Sequence, residues 1–280
     1  MSDVEAILQD AFAMGDEGRW LEMAQLLGEA LQDDPDEPYL LCWAGVAERE
    51  LGNDGASYEL FKRCIAQNPL DAHLLAIAGS GLAAYGDPDA EIALRAAALS
   101  QPDLATARIQ YGAYLARAGL FEEAFEHLAA GLALTPEDPV AHGEMGVALA
   151  LKGDLAAAAE AMENALDIAP EDSWTRLLLG LIYLELDRPE DGAQTLADAA
   201  RERADDAEAQ ILAALACAAA GWGESAEEAL ARAEYSAEGT DAELLSETGD
   251  RIASGPDEAR SLLMDQVAPS ALHDRLTQPL

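Results

Sequence analysis

Lysine is nearly missing from this chain: Lys62 and Lys152 are the only two in 280 residues. With 16 basic against 54 acidic side chains, the formal net charge is −38. A surface so acidic repels phosphates, which excludes direct nucleic-acid binding. Long apolar runs are also missing. No stretch reaches about 18 consecutive apolar residues, so no membrane-spanning segment is expected. The opening Met1-Ser2-Asp3-Val4-Glu5-Ala6 lacks the basic and apolar regions of a signal peptide, and a cytoplasmic location is the expectation. Cys42, Cys64 and Cys217 are odd in number and scattered, without metal-ligand spacing. Reduced thiols are expected rather than a disulfide framework or a zinc site. Catalytic constellations are absent as well. There is no phosphate-cradling glycine loop, and His73, His127, His142 and His273 stand alone. The pairs Glu122-Glu123 and Glu227-Glu228 fall on the solvent side of helices, where carboxylates keep ordinary acidity. No enzyme activity, cofactor or metal is expected.

What is present is a repeat of about 34 residues, seven times over. Small residues recur at Ala11, Gly45, Gly79, Gly112, Gly146, Gly180 and Ala214. A second small or modest column follows at Met23, Ser57, Ala90, Ala124, Ala158, Gly192 and Ala226. A bulky apolar column comes next, at Leu27, Phe61, Leu94, Leu128, Met162, Leu196 and Leu230, and then a small one at Ala30, Cys64, Ala97, Gly131, Ala165, Ala199 and Ala233. Pro35, Pro69, Pro102, Pro136 and Pro170 close the first five units; Ala204 and Glu238 stand in that place in the last two. Turn residues recur at Gly18, Gly52, Gly86, Gly119, Gly153 and Gly221, with Asp187 in the sixth unit. Each unit therefore reads as two helices around a left-handed turn, with small residues where the helices approach.

This pattern resembles the tetratricopeptide (TPR) repeat family, whose period and helix–turn–helix layout it matches. The resemblance implies an all-α, right-handed α-solenoid of seven helical hairpins over residues 1–240, with units near 4–37, 38–71, 72–104, 105–138, 139–172, 173–206 and 207–240. Residues 241–280 are expected to form a C-terminal helical cap, with helices over Ala242–Ala253 and Asp257–Val267 and a break at Ala268-Pro269-Ser270. The apolar cluster Leu262, Leu263, Met264 and Val267, followed by Leu272 and Leu276, serves either as that cap or as a segment folded into the groove.

The resemblance also implies the job, which is binding other proteins, and the face that does it. In this family the first helix of each unit lines the concave groove. Projected here, the lining is Leu8 and Phe12; Tyr39, Cys42 and Val46; His73, Ala76 and Ser80; Thr106, Ile109 and Ala113; Val140, Gly143 and Val147; Trp174, Leu177 and Leu181; and Ile211 and Leu215. The set is mostly apolar and uncharged on a very acidic protein, which marks an interaction face. Periodicity alone does not separate groove from interior for its individual members. None of these positions is the Lys, Arg or Asn that family members docking chaperone tails use to clamp carboxylates. The lining is closer to that of TPR chaperones holding an apolar client segment.

The expected partner is a protein or peptide with an apolar segment, held by a non-catalytic scaffold or chaperone. An acidic adaptor for a basic protein and a self-assembling scaffold are the alternatives. The acidity has two readings, a solubility adaptation or the recognition of something basic. Part of it has a local cause. Asp33, Asp34, Asp36, Glu37, Glu137, Asp138, Glu171 and Asp172 precede helices, whose free N–H groups favour anions.

Overall fold

The structure, a computed structural model, describes residues 3–236 and 242–277. Among them every element is helical. The chain divides into two compact units, Met1–Pro136 and Glu137–Gln278.

The first unit holds four hairpins. They are α1 (Asp3–Asp16) with α2 (Trp20–Asp33), α3 (Pro38–Glu50) with α4 (Asp54–Ala66), α5 (Ala72–Ala83) with α6 (Asp89–Ser100), and α7 (Ala105–Arg117) with α8 (Phe121–Leu134). The second unit holds three more: α9 (Pro139–Lys152) with α10 (Leu155–Ile168), α11 (Ser173–Glu185) with α12 (Pro189–Glu202), and α13 (Ala207–Ala219) with α14 (Gly223–Tyr235). Three further helices follow: α15 (Ala242–Ser254), α16 (Pro256–Leu262) and α17 (Ala268–Thr277). A π-helical turn at Leu263–Val267 joins the last two.

The repeated residues explain this build. Every hairpin turns at a left-handed residue, from Gly18 to Gly221, and Asp187 takes that conformation at φ 55°. Gly153 ends α9 at φ 92°, where a side chain would be strained. Inside the hairpin, a Cβ on Gly146 would lie 2.8 Å from Met162 Cγ and 3.2 Å from the Ala158 carbonyl. Gly112 and Gly180 stand in the same relation to Leu128 and Leu196. The small column thus lets helix pairs close on the bulky one.

Carboxylates start most of the first helices. Glu37, Asp71, Asp138, Asp172 and Asp206 accept N–H bonds at the starts of α3, α5, α9, α11 and α13. α7, which begins after Leu104, lacks such a cap. Much of the inter-repeat acidity therefore satisfies helix ends.

The C-terminal region departs from expectation at Pro269. Instead of breaking at Ala268-Pro269-Ser270, the helix continues from Pro256 to Thr277. The π turn is the reason. Ala268 N–H donates to the Leu263 carbonyl, one residue further back than in an α-helix, and this local widening makes room for the proline ring. Glu238, which stands where the seventh unit lacks its proline, lies outside the described residues. No helix is long and apolar enough to cross a membrane, among the described residues.

Candidate functional site

In the first unit the first helices of successive hairpins, α1, α3, α5 and α7, pack side by side, whereas in the second α9, α11 and α13 are joined through α10 and α12. Their shared face carries the residues picked out from the repeat, which run along it in three columns.

The column at the helix starts is the most open. Tyr39 and Val140 are exposed, and His73, Thr106 and Trp174 are half-buried. The middle column is interior. Leu8 is half-buried, but Cys42, Ala76, Ile109, Gly143, Leu177 and Ile211 are buried. Cys42 lies against Cys64 and the Leu74 carbonyl, and Ile109 presses its Cγ1 to within 2.6 Å of where a Cβ on Gly131 would be. This column wedges between helices rather than facing outward. The third column differs between units. Phe12 is 40% exposed and Ser80 half-buried, whereas Val46 and Ala113 are nearly closed. Val147, Leu181 and Leu215 in the second unit are fully buried.

On the first unit the open residues form one patch. A depression of about 820 Å³ lies between α1 and the start of α3, lined by Val4, Leu8, Phe12 and Tyr39, with Glu5, Asp16 and Glu37 among its acidic borders. The Phe12 ring meets Trp43 edge-on at 4.7 Å, and Trp43 faces His73 at 6.2 Å. A ladder of three rings thus crosses α1, α3 and α5. The sequence does not single out Trp43, because its column holds polar Gln9, Gln110 and Glu144 beside apolar Ile77, Leu178 and Leu212. Only its position beside Phe12 identifies it.

Tyr39 is held in place. Its hydroxyl donates to Asp71 Oδ2 at 2.6 Å, while Asp71 Oδ1 accepts from His73 and Leu74 N–H at the start of α5. The bond from Tyr39, with those N–H groups, keeps the Asp71 carboxyl below its usual range. In return Asp71, with partial burial, pushes the Tyr39 phenol up to about 12. The pair is therefore carboxylate and neutral phenol throughout the physiological range, a fixed anchor rather than an acid–base couple. The Cys42 and Cys217 thiols are similarly unreactive. A hydrogen bond with Cys64 and burial raise Cys42, and burial pushes Cys217 up to about 11. Among the described residues no group of three or more His, Cys, Asp or Glu side chains is arranged to hold a metal ion.

On the second unit the same face is covered. α16 packs on α13, and α17 on α11 and α9. Leu262, Leu263, Val267, Ala268 and Ala271 join one buried cluster with Leu177, Leu181, Ile211 and Leu215. Leu276 joins Val147 in another. This explains why α13 is buried on all sides from Ala209 to Ala218.

The comparisons with known proteins agree on the fold. A family model described as tetratricopeptide repeat matches residues 149–216. No curated protein matches the chain by sequence. Among solved structures, the APC/C hetero-tetramer Cut9-Hcn1 is similar with a TM-score of 0.67 at 18% identity, over 86% of this chain and 48% of that one. This chain thus spans about half the length of that one. A tetratricopeptide repeat protein from Parabacteroides merdae ATCC 43184 gives 0.60 at 14% identity, over 91% and 98% of the two chains. PilW, a type IV pilus biogenesis factor, gives 0.58 at 20%, over 72% and 94%. At such identities the likeness is one of fold.

Proposed function

We propose that this chain, whose fold is that of tetratricopeptide-repeat proteins, is a scaffold or chaperone whose first unit holds an apolar segment of a partner protein. The observation that carries this reading is the aromatic patch. Phe12, Tyr39, Trp43 and His73 leave ring surface open across three adjacent helices, and Tyr39 is already immobilised by Asp71. Aromatic anchors held rigid before binding contribute most per side chain at interfaces, because little rotamer freedom remains to be lost. Glu5, Asp16 and Glu37 border the depression, so a segment with basic residues beside its apolar ones fits best.

The test compares the full chain with a Phe12→Asp, His73→Asp variant in a pull-down from source lysate, at low salt and at about 0.5 M salt, where charges are screened within a few ångströms. Both substituted positions are at least partly exposed, so the variant is expected to keep the wild-type helical signal. Charges at Ile109 or Leu177, which are interior, would test folding instead. A partner kept in high salt and lost by the variant supports the reading. A basic partner that salt removes and the variant retains sinks it, and makes the acidic exterior the working surface.

A further inference from the structure

The second unit's face is occupied by the chain's own helix from Pro256 to Thr277. At 1.5 Å rise per residue it is about 33 Å long, enough to reach α13, α11 and α9 in turn. It runs back against chain order, from α13 to α11 to α9. Its Leu262, Leu263, Val267, Ala271 and Leu276 face the unit, while Asp257, Glu258, Asp265, Gln266 and Asp274 face outward. That is an amphipathic helix laid into a groove, a recurring way for a helical ligand to bind.

This segment is not needed to cover the end of the stack. α15 already packs on both α13 and α14, the place a following first helix would take. The 256–277 segment lies on a different surface, the one on which partners are expected. It leaves α15 at Gly255, whose φ of 120° suits glycine, followed at once by Pro256.

Two observations show a seat that is occupied but not matched. First, where the π turn meets α13, a cavity of about 120 Å³ remains, its floor formed by Leu184, Ala216, Leu263 and Met264 and its mouth by Asp187, Glu190 and Arg260. An unfilled gap forfeits dispersion contacts that a better-shaped side chain would make. Second, the segment carries four carboxylates and only two arginines on a chain of net charge −38. Both arginines are used at its contacts with the array. Arg275, largely buried, meets Glu208 at 2.9 Å, and Arg260 meets Asp187 at 3.4 Å. The rim selects for basic side chains, and the long-range field works against Asp257, Asp265 and Asp274, while Glu258 is paired with Arg251 of α15.

We propose that residues 256–277 are a resident pseudo-ligand of the second unit, and that the site's foreign occupant is a partner helix with the same apolar spacing and a more basic outer face. The tether gives the segment an effective concentration on the order of millimolar, so it blocks weak binders and yields to a helix that gains from the acidic rim. This site is distinct from the aromatic patch of the first unit and does not depend on it.

The test uses the full chain with a protease site replacing Ala253–Gly255. The probe is a fluorescein-labelled peptide of residues 256–277 carrying Asp257→Lys and Asp274→Lys, read by anisotropy. The uncut protein is expected to bind it weakly, and the nicked protein at least about 100-fold more tightly once the cut helix is free to leave. In the uncut chain, Arg275→Glu is expected to raise probe affinity about tenfold by loosening the resident helix. Adding Glu208→Arg restores the block, which a general loss of packing would not do. Phe12→Asp leaves all these values unchanged, which separates this result from the fate of the first-unit reading. Nicking that melts helices α9–α14 along with the tail would make the segment a structural cap and overturn the proposal. So would a nicked protein that takes up no probe. A mass that doubles with concentration in the uncut chain would assign the seat to a second copy's tail, and would overturn it too.

Discussion

Gly81 faces Phe61, and a methyl group there would lie 2.3 Å from the ring. No rotation of a buried ring relieves an approach that close, so Gly81→Ala is expected to cost about 1–3 kcal/mol or more. Gly28 is the counter-example. It sits inside α2, exposed, with nothing within 4 Å of an added Cβ. Gly28→Ala is expected to stabilise the fold by about 0.5–1 kcal/mol, because alanine loses less backbone freedom in a helix. Urea denaturation of both variants checks the pair, and equal effects would mean the packing around Phe61 is looser than described. Lys62 shows residue-level pairing of another kind. One of two lysines in the chain, it reaches the buried Asp87 at 2.7 Å, and Tyr58 donates to the same carboxylate at 2.9 Å. Asp87 also accepts from Asp89 N–H. It thereby pins the turn Gly86-Asp87-Pro88, where the third unit is one residue short. The Lys62 ammonium, more than the N–H or the phenol, holds the Asp87 carboxyl below its usual range.

The helix starts are where sequence and structure agree most closely at the scale of elements. Asp172 accepts from Trp174 and Thr175 N–H at 3.1 Å and from the Thr175 hydroxyl at 2.6 Å. Asp172→Ala is expected to cost about 0.5–2 kcal/mol, the usual loss for a helix N-cap. Thermal unfolding followed by circular dichroism measures it; no loss would show that solvent caps α11 equally well. The carboxylate column, the left-handed turns and the small-on-bulky contacts were all readable from the repeat, since each depends on chemistry within one hairpin. The middle column of the proposed groove was not. Cys42, Ile109 and Leu177 have the same spacing as a lining, and only the position of the neighbouring helix turns them inward. The break expected at Pro269 is bridged by the π turn at Leu263–Val267, which has no sequence signature of its own.

At the scale of the molecule, each unit is held by neighbouring hairpins, so stability accumulates from adjacent interfaces rather than one central core. A net charge of −38 opposes that compaction by self-repulsion. Added salt shortens the reach of this repulsion, and the melting temperature is expected to rise by a few degrees between low salt and about 0.5 M sodium chloride. Differential scanning calorimetry decides it. A falling melting temperature would mean that the surface ion pairs, such as Arg95–Glu91 and Arg251–Glu247 one turn apart on a helix, outweigh the repulsion.

The sequence by itself determined the hairpin, its turn, its caps and its repetition, because these follow from local sterics and from hydrogen bonds that residues a few positions apart can make. The tertiary structure decided which columns face outward, that Trp43 bridges Phe12 and His73, and that helix 256–277 covers one first-helix face while the other stays open. Those depend on contacts between residues far apart in the chain, such as Leu276 with the cluster of Val147. Hydrophobic periodicity states that a face will be buried; it does not state against what.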